Sequence, residues 1–237
     1  MPAVPLSSSA NGAVAPSFLD PSVVVFDLDG TISDSGAVIT SSIAETLSHF
    51  GYPVPGPAGL LQFVGPPIRQ GFLRLGGVGE AHVDEVVADY RRRYRTRLTQ
   101  APVFSGMASL LGDLHNRGVP LAIATSKRQS MAEEVLANDG LIELFVVVCG
   151  AAEDESRGEK VDIIADALSG LRENRIDLSR PIMVGDRHHD VQGALTHGID
   201  AVLVEWGYGQ AGEDDGAVAV AHTVAELRAM LIPSPRS

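Results

Sequence analysis

The stretch VVVFDLDGT, residues 23–31, sets the reading of the whole chain. Four apolar residues run without a break into two aspartates spaced two apart, and Gly30 and Thr31 close the pattern. An apolar run of this kind fits a strand covered on both faces, as in a parallel sheet. Side chains alternate along extended backbone, so Asp27 and Asp29 share one side while Leu28 turns away. Gly30 lets the chain turn sharply with no Cβ in the way. Two carboxylates this close repel, so either something compensates them or the stretch is only a turn.

Working outward, related apolar runs recur as VPLAIA (119–124), LFVVV (144–148), PIMV (181–184) and AVLV (201–204), with SVVVF (22–26) as the first. Helical patterns separate them: MASLLGDLHNRG is apolar at 107, 110, 111 and 114 with Gly118 as a stop, and VDIIADAL (161–168) repeats that spacing. Alternating strand and helix predicts an α/β protein with a doubly wound, Rossmann-like parallel-sheet core.

Between the first two runs the rhythm fails for roughly 80 residues, far more than an ordinary crossover. DSGAVITSSIAETLSHF, IRQGFLRLG and EAHVDEVVADYRRRYRTRL read there as helices, punctuated by GYPVPGPAG and VGPP. The division expected is a core of residues 21–34 and 105–232, and a helical cap of residues 35–104 over the carboxyl ends of the strands. An N-terminal tail of residues 1–20, rich in Pro, Ser and Ala, and a C-terminal tail of residues 233–237 flank them. The cap segment holds seven arginines against five acids, a charge of +2 in a chain whose total is −12.

That total argues against nonspecific attraction to nucleic acid or an anionic membrane, so an anionic substrate has to be held by local positive charge. The single cysteine, Cys149, permits no intrachain disulfide and reads as a small buried hydrophobe. The first twenty residues lack the basic and apolar regions of a secretion signal. No apolar run approaches the roughly 20 residues that span a bilayer, and the expected location is cytoplasmic.

Ligands of open α/β sheets collect outside the carboxyl ends of the strands, so the polar residues after each run matter most. They are Asp27 and Asp29 after the first, Thr125, Ser126 and Lys127 after the second, Lys160 at the helix after the third, and Asp186 and Asp190 of VGDRHHD after the fourth. A hard divalent cation resolves the crowding of carboxylates. Mg²⁺ takes a few oxygen ligands, which Asp27 and Asp186 would supply, and bridges to a phosphoryl oxygen. An aspartate so neutralised can attack phosphorus and form an acyl phosphate that water later breaks.

In this order DLDGT, ATSK, the later lysine and GDRHHD resemble the haloacid dehalogenase superfamily, in its phosphoglycolate phosphatase-like and nucleotidase-like branch with an inserted cap. The resemblance covers about residues 22–232. It implies a Mg²⁺-dependent phosphatase for a small phosphomonoester. Asp27 would be nucleophile and metal ligand, and Asp29 the general acid and base that also lends its carbonyl to the metal. Thr125 and Ser126 would hold phosphoryl oxygens, Thr31 and Lys127 would also bind the substrate, and Lys160 would offset charge. Asp186 would be the second metal carboxylate, with Asp190 orienting water or Lys160. Val161 stands where the family often has proline, which leaves Lys127 as the alternative cation to Lys160.

FVGPPIR (63–69) is similar to a cap segment of the nucleotidase-like branch and makes Arg69 a candidate substrate contact, although the same residues suit a helix-starting turn. Arg91 and Arg95 sit one turn apart and either form a solvated face or present guanidinium groups to an anion or a protein. His188 and His189 are adjacent, so their side chains diverge, which disfavours zinc. WGYG, residues 206–209, reads equally as a loop flanking the site or as a turn with a packed Trp206. SRGEKVD, GDRHHDV, HGID and WGYG are also similar to the mycobacterial protein tyrosine kinases built on this fold, which leaves open a second reaction in which ATP charges the aspartate and a protein partner accepts the phosphoryl group.

Overall fold

The computed structural model describes residues 18–153 and 157–233; most of both expected tails, residues 1–17 and 234–237, lies outside them. The core is one six-stranded parallel sheet in the order β3-β2-β1-β4-β5-β6. Its strands are β1 (Val23–Phe26), β2 (Leu121–Arg128), β3 (Val147–Ala151), β4 (Pro181–Gly185), β5 (Asp200–Val204) and β6 (Ala219–Ala221). Period-two alternation divides the central strands between two apolar clusters. Val24, Phe26, Leu121, Ile123, Ile182 and Val184 face one side; Val23, Val25, Ala122, Ala124 and Met183 face the other. Helices α5 (Met107–Asn116), α6 (Gln129–Asn138) and α9 (Val224–Leu231) cover the first face, and α7 (Lys160–Glu173) and α8 (His188–Thr196) the second. This coverage is why the strands carry unbroken apolar runs, each large side chain contributing about 1.5–3 kcal/mol on burial.

The chain winds outward from β1 through β2 to β3, then returns to build β4, β5 and β6 on the opposite side of β1. The winding direction reverses between β1 and β4, and a crevice opens at their carboxyl ends. Phe26 pairs with Val184, and the Asp27 amide donates to the Val184 carbonyl at 2.9 Å. Residues far apart in sequence thus leave the sheet side by side.

Between β1 and β2 lie α1 (Gly36–His49), α2 (Pro57–Leu61), α3 (Ile68–Arg74) and α4 (Val83–Arg95). Their apolar faces, including Ile43, Phe72, Val86 and Tyr90, join the cluster on the first face of the sheet. α2 occupies part of GYPVPGPAG, where only a break was expected; Pro57 begins it, as suits a first-turn proline.

Three further expectations change. The N-terminal tail stops short of residue 20, because the Leu19 amide donates to the Met230 carbonyl at 2.8 Å and Leu19 packs on the core. β3 starts at Val147, since Ile142–Leu144 form a 3-10 turn, and it lies at the sheet edge. For that reason Cys149 is only half-buried, with burial and the Asp166 charge pushing its thiol up to about 11. Among the described residues no helix is long and apolar enough to cross a membrane.

Candidate active site

Asp27 leaves β1 and Asp186 leaves β4 at the crevice, and α8 returns Asp190 to the same place. Each offers a carboxylate oxygen within 4.8 Å of the others, and all three residues are buried. Glycines make room for the approach. At Gly30, with φ of +87°, a Cβ would stand 2.3 Å from Asp186 Oδ2, and at Gly207 it would stand 2.4 Å from the same oxygen. Asp186 is held by neutral donors, the Tyr208 amide at 2.7 Å and the Thr31 hydroxyl at 3.5 Å. Asp190 is anchored by accepting from the Arg187 amide at 3.1 Å, as the third helical residue of a capping box.

Lys160, the first residue of α7, projects into this cluster. Its ammonium lies 2.8 Å from Asp27 Oδ1 and 2.9 Å from Asp190 Oδ1, while its well-directed hydrogen bond goes to the Ala124 carbonyl at 2.9 Å. The two carboxylate oxygens remain buried without a directed hydrogen bond of their own. Burial opposes the Lys160 charge, but the carboxylates of Asp190 and Asp27 more than offset it and hold the ammonium above its ordinary range. Burial pushes Asp27 up to about 6, against the pull of Lys160 and with the push of Asp190 and Asp29. Burial, Asp190 and Asp27 raise Asp186 well above the carboxylate range. Three buried carboxylates facing one ammonium leave surplus negative charge, and the donors are all hard oxygens. Such a set fits a divalent metal ion.

Asp29 belongs to a separate arm. Its Oδ1 accepts from the Ser35 hydroxyl at 2.6 Å and lies 2.9 Å from the Lys127 ammonium. Lys127 reaches there because β2 bulges. The register against β3 shifts between Thr125 and Arg128, and the Gln129 side chain fills the interrupted ladder by donating to the Val148 carbonyl at 2.8 Å and accepting from the Gly150 amide at 2.6 Å. The bulge presents Thr125, Ser126 and Lys127 in succession to a cavity of about 350 Å³.

Asp27 and Asp29 form part of that cavity's wall, with Thr125, Ser126 and Lys127 beside them and Phe63, Val64, Ile68, Tyr90 and Tyr94 contributed by the helical insertion. Lys160 and Lys127, weighed against each other in the sequence, divide the work: the first meets Asp27 and Asp190, the second Asp29. Thr31 turns its hydroxyl to Asp186 and its carbonyl to the Trp206 indole, away from the cavity lining. Arg69 lines the cavity, yet its guanidinium donates to Glu80 at 2.8 Å and Asp84 at 3.2 Å. Arg95 pairs with Glu134 at 3.0 Å, whereas Arg91 stays in the cavity wall, where burial and Arg128 lower it to about 10.

The profile of haloacid dehalogenase-like hydrolases matches residues 24–204, which span all four strand-end groups. The chain belongs to that hydrolase family. Among its relatives, the tyrosine-protein kinase PtkA of Mycobacterium tuberculosis is 45% identical over 216 residues, covering 89% of this chain and 72% of PtkA. A 5'-nucleotidase of Pseudomonas aeruginosa is 35% identical over 209 residues, covering 87% of this chain and 92% of the relative. A solved structure from Clostridium acetobutylicum, described as a predicted phosphatase, superposes with a TM-score of 0.81 at 31% identity, covering 90% of this chain and 97% of that one.

In this member of the family, several residues at the site had no role assigned from the sequence. Ser35 is one; a hydroxyl six residues after Asp29 was open to notice as a local partner. Tyr208 is another, its amide on Asp186 and its phenol bridging the Gly36 amide at 2.6 Å and Asp34 at 2.8 Å, so WGYG does flank the site. Arg187 links the core to the insertion by donating to the Val64 carbonyl, and Tyr94 does so by accepting from Lys127. Only the fold brings those last pairs together.

Proposed function

We propose that this hydrolase is a Mg²⁺-dependent phosphatase that cleaves a small phosphomonoester through a phosphoaspartate on Asp27. The observation that carries the reading is the meeting of Asp27, Asp186 and Asp190, within 4.8 Å, with Asp27 also in the wall of the cavity. Asp27 and Asp186 would hold the ion, which when bound lowers the repulsion between the nucleophile and an anionic phosphoryl group. Residues 35–104 act as the cap that closes the cavity.

Thr125 and Ser126 orient the phosphoryl oxygens, and Lys127 holds the Asp29 carboxyl. An Asp27 carboxylate oxygen attacks phosphorus, the bond from phosphorus to the ester oxygen breaks, and Asp29 gives that oxygen a proton. Water then attacks the phosphorus of the acyl phosphate, its proton passes to Asp29, and inorganic phosphate leaves as Asp27 is restored. Asp190 positions Lys160, whose ammonium stabilises the Asp27 carboxylate as it forms and reforms. Small phosphate-bearing substrates agree with the names of the 5'-nucleotidase relative and a phosphoglycolate phosphatase of Xanthomonas campestris, 29% identical over 204 residues.

Phosphate release from a panel of monoesters, with Mg²⁺ and then with EDTA, tests this. Turnover of at least one ester that EDTA abolishes and Mg²⁺ restores is the expected result; full turnover in EDTA rejects the metal, and no turnover of any ester rejects the phosphatase. The identity with PtkA supports a second reading, transfer from ATP to a protein tyrosine. Label moved from ATP to a partner's tyrosine, and lost in Asp27→Ala, would favour it.

A further inference from the structure

At the start of the insertion the Ser35 hydroxyl meets Asp29 directly, and from the far end of α4 a second side chain, Tyr94, reaches the same acid arm through Lys127. Tyr94, near the end of α4, is 3% exposed, and its hydroxyl oxygen accepts from Lys127 Nζ. That same ammonium lies 2.9 Å from Asp29 Oδ1, and the Lys127 side chain is 4% exposed. Asp29 and Lys127 belong to the core, and Tyr94 belongs to the insertion, so this three-residue chain crosses from one to the other.

Tyr94 is itself held firmly. Its ring stacks on Tyr90 at 5.6 Å with the planes 6° apart, Tyr90 meets Phe72 edge-on at 5.8 Å, and Phe72 meets Phe63 edge-on at 5.7 Å. Phe63 and Tyr90 also line the cavity. A run of aromatic contacts therefore joins the cavity wall to the hydroxyl that grips Lys127. Aromatic rings have few rotatable bonds, so the run passes on position with little slack. Burial, and behind it the charge of Asp29, push the Tyr94 phenol well above its ordinary value, so it stays a neutral hydroxyl.

Lysine is a point charge on a flexible four-carbon stem, and one carboxylate contact does not fix its direction. Here the bulge sets its base and the phenol oxygen its tip. We propose that Tyr94 is a positioning residue for the reaction: carried by the cap, it holds Lys127 against Asp29, so the acid is aligned with the leaving oxygen only when the cap lies over the strand ends. The inference rests on the phosphatase reading above. It assigns to the cap a part in the proton step besides enclosure of the substrate.

Esters that differ in their need for an acid provide the test. An alkyl alkoxide leaves poorly without a proton, whereas 4-nitrophenolate leaves as a stable anion. In the full chain with Mg²⁺, Tyr94→Phe keeps the ring and removes the hydroxyl. It is expected to lower kcat on the best alkyl monoester by about 10- to 100-fold, part of the usual acid contribution, with KM within about threefold. Turnover of 4-nitrophenyl phosphate stays within about threefold of the parent, which also shows that the variant is folded. Equal losses on both esters, or none on the alkyl ester, overturn the proposal. A parent enzyme that turns over 4-nitrophenyl phosphate but no alkyl ester overturns the proposal alone, and one that turns over neither removes the phosphatase reading with it.

Discussion

Replacing Asp27 by Asn should make the metal-free protein more stable, and the gain can be worked from the site. The Asp27 carboxyl is buried and ionises near 6 in the folded chain, against an ordinary value of 3.8. Below pH 3.8 it is protonated in both folded and unfolded chains and costs nothing. Between about pH 4 and 6 the unfolded chain releases the proton first, so folded stability falls as pH rises; above that window the penalty is complete. It amounts to about 3 kcal/mol. Asparagine mimics the neutral carboxyl in shape and removes the penalty. Urea unfolding in EDTA should therefore show Asp27→Asn and the parent equally stable near pH 4, with the variant ahead by up to about 3 kcal/mol at pH 8. Mg²⁺ should close the gap by stabilising only the parent, through mass action on the folded state. A variant that is less stable at pH 8, or a difference that does not change with pH, would refute the electrostatic account.

Two other substitutions probe the same centre. Lys160→Met leaves Asp27 and Asp190 buried with no ammonium between them and should cost about 3–5 kcal/mol at pH 7, read from urea unfolding in EDTA; parental stability would show that the lysine balances nothing. Gly30→Ala places a methyl 2.3 Å from Asp186 Oδ2 at a φ of +87°, so calorimetric titration should show Mg²⁺ binding weakened by at least about tenfold, and unchanged affinity would remove Asp186 from the ligand set.

The core was legible because its strands are covered on both faces. Each central strand had to be apolar at every position, and VVVF, LAIA, IMV and AVLV show it. β6 escaped notice: three residues, Ala219–Ala221, of which only Ala221 is fully buried, leave little pattern at the sheet edge. The run read as 144–148 begins three residues before β3 does, because Leu144 and Phe145, packed beside the core, extend its apolar stretch backwards past the true start at Val147. In the site, Asp27, Thr125 and Asp186 follow from strand ends alone. What could not be read was pairing across the insertion. Nothing local to Tyr94 or to Arg187 names Lys127 or the Val64 carbonyl as its partner. The arginine cluster left open a solvated face or a set of guanidinium groups for an anion or a protein, and the structure shows Arg92 and Arg93 closing on Asp89 within the same helix and Arg97 on Glu45 of α1.

The distribution of charge explains why the centre calls for a cation from outside. Four carboxylates, Asp27, Asp29, Asp186 and Asp190, converge on the crevice, and two lysines enter it from different elements. Lys127 sits on Asp29, and Lys160 lies between Asp27 and Asp190, so both are committed before any substrate arrives. Asp186 has neutral donors, an amide and a hydroxyl, which orient its carboxylate without cancelling the charge. The surplus of two negative charges is therefore concentrated at the face shared by Asp186 and Asp27. A third lysine there would cancel only one of the two charges, and would do so permanently while crowding Asp27. On the proposed reading, a divalent ion held by Asp27 and Asp186 would supply that balance as an exchangeable charge, which a side chain tied to the backbone does less freely.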